Sequence, residues 1–314
     1  MAIKQLSERI AQLNAPVVVG LDPQIDLLPP ALQQQYGGGI GTAVGGEEDF
    51  EVAVAKAFVD FNRTLIDHIY DIVPAVKPQI AFYEMFGAAG YQAYIDTCNY
   101  AKQKGLLVIG DIKRGDIAST ATAYSHGHIG QSAAFGQQKV IAEQDFVTIN
   151  PYMGTDSVTP WLADCKAYNR GLFVLLKTSN PGSSDIQDIP LHNGKPLYAH
   201  VAELINKWGA DSICADCGFS QVGAVVGATH PTIASELRAM MPNTVFLVPG
   251  YGAQGGTGAD LKPFFTTGLQ GAIVNSSRGI IYAYQQASQL DTNDYGLAAR
   301  NATLAMIRDI QENI

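Results

Sequence analysis

Residues 106–113 read LLVIGDIK, an apolar run that ends in two charged side chains. A strand that is buried on both faces of a parallel sheet gives such a continuous hydrophobic run. Similar short runs recur along the chain with longer amphipathic segments between them, and this alternation predicts parallel strands connected by helices. The eight predicted strands are Val17–Asp22, Ala75–Tyr83, Leu106–Lys113, Asp145–Asn150, Gly171–Thr178, Ser212–Cys217, Thr244–Gly250 and Gly271–Ser276.

Helices are predicted between these strands and after the last one. They cover Glu48–Tyr70, Gly87–Lys104, Ala118–Glu143 with a break, Ser157–Tyr168, Leu197–Trp208, Gln221–Met240 with a break at His230-Pro231, Asp260–Thr267, Gly279–Gln289 and Leu297–Asn313. Eight βα units close naturally into a barrel, so the predicted fold class is α/β, a (β/α)8 TIM barrel. We expect a single domain over residues 1–314, with the helix Leu297–Asn313 packed outside as an extra C-terminal helix. An open doubly wound sheet is the alternative, and the glycine-rich stretch 36–46 is interpreted as an inserted surface loop.

The composition excludes several classes of protein. The chain has 314 residues, of which 47% are hydrophobic and only 16% charged, and this excludes a disordered or fibrous protein. The formal net charge is −9 and no run of lysine or arginine occurs, so we expect no nucleic-acid partner and no binding to an anionic membrane. The N-terminus lacks an apolar signal segment, and no apolar stretch approaches the ~20 residues of a membrane span. With four cysteines, too few for a disulfide framework, these features predict a cytoplasmic protein.

Charged side chains follow three successive strands at their carboxyl ends, where βα barrels carry their chemistry. Asp22 ends the first strand, Lys77 lies in the second, and Asp111 and Lys113 end the third, with Asp116 just beyond. Residues i and i+2 of a strand face the same side, so Asp111 and Lys113 share a face that Asp22 and Lys77 can approach. A buried ion-pair network is the structural alternative, although burying four charges is costly unless each is paired. We interpret the cluster as catalytic, because flanking carboxylates keep a lysine protonated for donation to a carbanion-like carbon.

Two glycine-rich loops predict a phosphate site at the same end of the barrel. The loop after the seventh strand contains PGYGAQGG (residues 249–256), and the loop after the eighth contains NSSRG (residues 275–279). Phosphate sites in these barrels are commonly built from these two loops, where backbone N–H groups and a helix N-terminus face the anion. Arg278 would add charge-assisted hydrogen bonds. The GxGxxG match in the first loop is a weak indication of dinucleotide binding, because the next strand does not end in the acidic residue that a dinucleotide ribose requires.

Several motifs together resemble one enzyme family. They are KPQ (77–79), DIKRGDI (111–117), FVTINPYMG (146–154), TSNPG (178–182), PGYGAQG (249–255) and NSSRG (275–279). In this order, they resemble the orotidine 5′-phosphate decarboxylases, and more narrowly the longer bacterial (type 2) subfamily. The resemblance implies a carboxy-lyase that converts orotidine 5′-monophosphate to UMP and CO2 in de novo pyrimidine biosynthesis, without a metal or an organic cofactor.

The resemblance also implies catalytic roles for the matching residues. It makes Lys113 the proton donor to C6 of the pyrimidine, in a charged set completed by Lys77, Asp111 and Asp116. Asp111 would lie near the departing carboxylate. In this family, Asp116 and Thr120 reach across a dimer interface into the neighbouring site, so the resemblance implies a homodimer with shared active sites.

A second group of matching residues would bind the substrate. The implied substrate-binding residues are Asp22, Thr120, Ser179, Gln254, Gly255, Gly256 and Arg278. Asp22, together with Lys77, would bind the ribose hydroxyls, and Ser179 would hydrogen-bond the edge of the pyrimidine. Gln254 would link the base to the phosphate, which Arg278 and the two glycine amides would hold.

Other interpretations of the chain remain open. A metal-dependent decarboxylase or aldolase for keto-sugar phosphates would use a similar barrel, and a catalytically silent barrel would use the phosphate site for sensing. Lys177 ends the fifth strand, where a Schiff-base lysine would fit. Cys214 and Cys217 have CxxC spacing but no second pair to complete a zinc site, so we interpret them as core cysteines. His126 and His128 are interpreted as surface or capping residues.

Overall fold

Eight parallel strands close into a barrel in the computed structural model, which describes residues 1–37, 49–252, 255–287 and 291–314. The strands are β1 (Val17–Leu21), β2 (Ala75–Pro78), β3 (Leu107–Arg114), β4 (Phe146–Ile149), β5 (Gly171–Lys177), β6 (Val222–Val226), β7 (Phe246–Val248) and β8 (Ala272–Ser276). Each strand pairs with the next in chain order, and β8 pairs with β1, where Val274 lies opposite Val17. The predicted (β/α)8 TIM barrel is confirmed.

Helices surround this barrel. The longer ones are α1 (Ala2–Leu13), α2 (Phe50–Ile69), α3 (Gly87–Gln103), α4 (Ala118–His128), α5 (Thr155–Tyr168), α6 (Leu197–Gly209), α7 (Pro231–Met240) and α8 (Tyr295–Asn313). Shorter helices cover Pro30–Gly37, Ala81–Glu84, Ser184–Gln187, Gly258–Leu261 and Arg278–Ile281. Apolar residues recur every three or four positions along α2, so Phe58, Phe61 and Leu65 form a buried stripe. Phe61 stacks on Tyr295 of α8 with ring centroids 5.3 Å apart, and the predicted extra C-terminal helix is confirmed.

Helix α1, which was not among the predicted helices, covers the amino-terminal end of the barrel. Its apolar residues Ile3, Leu6 and Ile10 are buried against the side chains that fill the barrel interior. Among those side chains are Phe146 and Phe173, whose ring centroids lie 5.3 Å apart. Because apolar packing occupies this end, polar chemistry is left to the carboxyl ends of the strands.

The prediction of a sixth strand at Ser212–Cys217 is wrong. Residues 213–220 form a tight turn, in which the Cys214 amide donates to the Phe219 carbonyl at 2.9 Å and Gly218 has a φ of +75°. The sixth strand is β6, whose residues are all buried, although the sequence predicts a helix beginning at Gln221. A side chain at Gly223 would meet the Phe173 ring at 2.6 Å, so this position of β6 has room only for glycine.

Other predicted elements differ from the structure in length. The broken helix predicted at Ala118–Glu143 consists of α4 followed by an antiparallel hairpin of Ser132–Ala134 and Gln137–Lys139. The predicted second strand ends at Pro78, because a short helix begins at Ala81. Positions 38–46 of the predicted glycine-rich loop lie outside the described residues. No helix within the described ranges is long and apolar enough to cross a membrane.

Candidate active site

A cavity of about 620 Å³ opens at the carboxyl ends of the barrel strands. The predicted site residues that line it are Asp22, Lys77, Asp111, Lys113, Ser179 and Arg278. A cavity of this volume has the size of a small-molecule site. Because TIM barrels carry their chemistry at this end, it is the candidate active site.

Asp111 lies at the centre of the charged residues and accepts four hydrogen bonds. Its Oδ1 receives Lys113 Nζ at 2.7 Å and Thr148 Oγ1 at 2.8 Å. Its Oδ2 receives Lys77 Nζ at 2.9 Å and Gln79 Nε2 at 3.0 Å. Burial would raise the pKa of the Asp111 carboxyl, but the charges of Lys77 and Lys113 hold that pKa far below its usual range. The carboxylate is therefore ionised at neutral pH.

Lys77 is almost completely buried, with 5% of its surface exposed. Burial opposes the charged form, yet the carboxylates of Asp111 and Asp22 raise the pKa of Lys77 above its ordinary value. A protonated lysine at this depth is stabilised because both carboxylates compensate for the lost hydration. The structure thus brings Asp22, Lys77, Asp111 and Lys113 together, as the strand pattern predicts.

Lys113 has a left-handed backbone, with a φ of +46°. This region is costly for a residue that carries a side chain, and such strain is common at functional sites. The side chain is 45% exposed and lines the cavity. Its ammonium is therefore accessible to a bound molecule while it donates to Asp111.

Two acceptor atoms beside this array are buried and have no hydrogen-bond partner in the part of the chain that the structure describes. They are Asp22 Oδ1 and Asn275 Oδ1, and both residues line the cavity. A buried acceptor without a donor costs about 1–3 kcal/mol, so a ligand that brings hydroxyl or N–H groups would relieve that cost. Asn275 lies in the NSSRG motif but was not predicted as a site residue, and its burial at the end of β8 is what identifies it.

The loop after β5 is held in place by side chains on both sides of Ser179. Lys177, with 1% of its side chain exposed, donates to Asp188 Oδ1 at 2.7 Å and to Ser183 Oγ at 3.2 Å. Gln187 accepts from the backbone amide of residue 178 at 2.9 Å. Because the Lys177 ammonium is already paired and buried, it is a poor candidate for the Schiff-base lysine considered above.

Arg278 follows β8 and is exposed at the cavity wall, with no carboxylate partner among the residues described. In the loop after β7, the amides of Gly255 and Gly256 are bonded within the loop. The Gly255 amide donates to the Gly252 carbonyl at 2.8 Å, and the Gly256 amide donates to the Gly250 carbonyl at 3.3 Å. Residue Gln254, also predicted as a binding residue, lies outside the described residues.

Asp116 and Thr120 lie beyond β3 and do not line the cavity of their own chain. Asp116 Oδ1 accepts from the Ile117 amide at 2.8 Å, and Thr120 is exposed in the first turn of α4. Large apolar side chains at this end of the barrel are also exposed, including Ile117 at 48% and Tyr152 at 81%. Such a surface is typical of a protein interface.

The histidine and cysteine candidates lie outside the cavity. The surface interpretation of His128 is wrong, because this side chain is 5% exposed, bonded to Gln144 at 3.1 Å and stacked on Trp161. Cys214 is buried at the amino-terminal end of the barrel, beside α1, and Cys217 is half-buried. Both are free thiols. Within the described ranges, no three histidine, cysteine, aspartate or glutamate side chains are grouped as metal ligands.

A TIM barrel with two lysines on one carboxylate, inside a cavity at the ends of its strands, defines an enzyme of the βα-barrel class. Arginine and lysine side chains at the cavity suit an anionic substrate. Within that class, the chain belongs to the orotidine 5′-phosphate decarboxylase / HUMPS family, whose model matches residues 16–292. The family resemblance carried by the motifs is confirmed.

Individual relatives match over nearly their whole length. The chain is 40% identical to the orotidine 5′-phosphate decarboxylase of Caldicellulosiruptor bescii over 300 residues, which is 95% of each chain. It is 38% identical to that of Clostridium tetani over 314 residues, covering 100% of this chain and 99% of the other. The structure of Leishmania donovani OMP decarboxylase superposes with a TM-score of 0.68 at 30% identity, covering 98% of this chain and 99% of the other.

Proposed function

We propose that this chain is a carboxy-lyase that converts orotidine 5′-monophosphate to UMP and CO2, the decarboxylation step of pyrimidine biosynthesis. The observation that carries the proposal is the array in which Lys113 and Lys77 both donate to the ionised Asp111. The full-length matches to orotidine 5′-phosphate decarboxylases support the same activity. An array with its charges paired in advance needs little rearrangement when charge develops on the substrate.

In the proposed mechanism, Lys113 delivers the proton that replaces the carboxylate. The bond between C6 and the carboxylate breaks, CO2 leaves, and the electron pair stays at C6. The Lys113 ammonium donates its proton to that carbon and later recovers a proton from solvent. Asp111 accepts a hydrogen bond from the Lys113 ammonium and lies near the departing carboxylate.

The proposed substrate contacts follow from the cavity lining. Asp22 and Lys77 bind the ribose hydroxyls, which would satisfy the unpartnered Asp22 Oδ1. Ser179 contacts the edge of the pyrimidine, and Arg278 holds the phosphate with charge-assisted hydrogen bonds. The predicted contacts of Gly255 and Gly256 require their amides to exchange their present bonds within the loop.

The proposal includes a homodimer in which Asp116 and Thr120 enter the partner's site. It is supported by the exposure of Thr120 and of the apolar side chains around it. We also propose a cytoplasmic location, which the four free thiols support because disulfides are rare in that compartment.

A direct assay of orotidine 5′-monophosphate decarboxylation tests this function. A Lys113→Ala variant should lose about 10²–10⁴-fold or more in kcat, because it lacks the general acid. Its Kd for UMP should stay within about threefold of the wild-type value. Lys166→Ala, which removes an exposed lysine on α5, is the matched control and should keep full activity.

Two outcomes would reject the proposal. A wild-type protein that binds UMP without turning over the substrate would indicate a silent binding barrel. Activity on keto-sugar phosphates that is abolished by a chelator would indicate a metal-dependent lyase.

A further inference from the structure

Strand β3 contains more residues than its partner β4 at the point where the charged side chains enter the cavity. Gly110 pairs with Val147, and pairing resumes with Arg114 opposite Ile149. The intervening segment of β3 therefore faces the single residue Thr148. A bulge of this kind leaves amides of the longer strand without their usual partners in the ladder.

The side chain of Thr148 replaces one of those missing partners. It is 1% exposed, and its Oγ1 accepts the backbone amide of Lys113 at 3.0 Å. The same Oγ1 donates to Asp111 Oδ1 at 2.8 Å. Because an amide can only donate, the single hydroxyl hydrogen of Thr148 is directed at the carboxylate.

These hydrogen bonds stabilise the left-handed backbone conformation of Lys113, which is unfavourable without them. The positive φ of Lys113 costs on the order of 1–3 kcal/mol and persists only where the surroundings fix it. Thr148 contacts the Lys113 backbone directly and its ammonium through Asp111, because that ammonium donates to the same Asp111 Oδ1 at 2.7 Å. Gln79 also donates to Asp111, but it bonds Oδ2 and does not contact the Lys113 backbone.

We propose that Thr148 is a positioning residue that fixes the proton donor Lys113, through its backbone amide and through Asp111. This inference rests on the proposed function of Lys113. The hydroxyl has no hydrogen left to offer a substrate, so Thr148 acts through its two partners rather than on the reacting atoms. Such a residue affects the alignment of the proton donor more than the binding of phosphate or ribose.

The test compares Thr148→Val, which keeps the shape but removes the hydroxyl, with Thr148→Ser, which keeps the hydroxyl. The Val variant should lose about 10–100-fold in kcat, the size of effect that a small misalignment produces. Its Kd for UMP should remain within about threefold of wild type, and the Ser variant should recover most of kcat. If the Val variant does not fold, Thr148→Ala compared with Thr148→Ser makes the same comparison.

A control and a second measurement separate positioning from general stability. Thr303→Val removes an equally buried hydroxyl, which bonds the Ala299 carbonyl inside α8, and should leave kcat unchanged. Hydrogen exchange at the Lys113 amide should be faster in the Val variant, because its acceptor is gone, and this readout does not depend on activity.

Several results would overturn the inference. They are wild-type kcat in Thr148→Val, equal losses in the Val and Ser variants, and a loss of UMP affinity that matches the loss of kcat. An inactive wild-type protein would instead reject the proposed function, and the exchange rate of the Lys113 amide would then decide alone whether Thr148 holds this backbone.

Discussion

Arg278 is the cavity residue whose charge has the least compensation from its own chain. It is exposed at the cavity wall and has no carboxylate partner in the described ranges. Removing its side chain should therefore cost little stability and should weaken the binding of the ligand's phosphate. We expect Arg278→Ala to weaken UMP binding by about 10–100-fold, the usual contribution of hydrogen bonds between charged groups, and to leave uridine binding unchanged.

Calorimetric titration of both ligands against both proteins measures this effect. If removal of the phosphate weakens binding equally in wild type and in Arg278→Ala, the side chain does not contact the phosphate.

His128 makes stability depend on pH. Burial, assisted by the charge of Arg114, lowers the pKa of His128 to about 4, whereas the unfolded chain takes up this proton near pH 6.5. Between these values the unfolded state binds more protons, so the free energy of unfolding falls as the pH drops from about 6.5 to about 4. At pH 5 the loss should be about 2 kcal/mol relative to pH 7.5.

Urea unfolding of wild type and His128→Gln at the two pH values tests this account. The wild-type protein should lose about 2 kcal/mol more than the variant between pH 7.5 and 5. His192→Gln, at an exposed position, is the control and should behave as wild type. Equal pH dependence in wild type and His128→Gln would contradict the assignment.

Individual residues differ in how far the sequence predicts them. Asp111 and Lys113 were predictable because they lie at the carboxyl end of a barrel strand, where βα barrels carry their chemistry. Thr148 was not, because its role depends on a register shift between two strands that no local pattern reveals. Asn275 is recognisable only from the structure, in which its buried Oδ1 has no donor among the described residues.

Among the elements, the loop after β5 is anchored by the ion pair of Lys177 and Asp188 as well as by the hydrogen bonds of Gln187. The Lys177 ammonium is buried, whereas Asp188 is 39% exposed, so removal of the carboxylate leaves a buried charge without its partner. Asp188→Ala should lower the free energy of unfolding by about 1–3 kcal/mol and raise KM, because Ser179 loses its support.

Thermal unfolding and steady-state kinetics measure both effects. The double variant Lys177→Met/Asp188→Leu should recover most of the stability, since it removes both charges. An unchanged KM and Tm in Asp188→Ala would show that the ion pair does not support this loop.

Strand β6 shows why the sixth strand was predicted at the wrong residues. Residues 212–217 combine one isoleucine and two cysteines, yet Ile213 is 45% exposed. The true strand contains Gly223, because the Phe173 ring occupies the space that a side chain there would need. A side chain of the adjacent strand β5 sets this requirement, so a pattern within the segment cannot show it.

For the whole molecule, the proposed dimer predicts that two inactive variants can restore activity when their subunits combine. If Asp116 acts in the partner's site, a heterodimer of Lys113→Ala and Asp116→Ala subunits contains one site with both native residues. Mixing the two inactive variants under conditions of subunit exchange should restore activity at about a quarter of all sites. No recovery, with heterodimers verified by mass spectrometry, would show that Asp116 acts within its own subunit.

We also propose that the 314 residues fold as one domain. This proposal is supported by contacts between distant parts of the chain, such as Gln311 Nε2 donating to the Asn14 carbonyl at 2.7 Å. Calorimetry should therefore show a single unfolding transition. Two separate transitions would indicate independent units.

The pairing of β1 with β8 has a consequence for synthesis on the ribosome. The two strands lie near opposite ends of the sequence, yet Val17 and Val274 are direct neighbours in the finished barrel. At roughly 5–20 residues per second, one edge of β1 remains unpaired for about 10–50 s after this strand has been translated. During that interval the nascent chain presents an open apolar strand, and a chaperone that binds extended segments would find its target at Val17–Leu21.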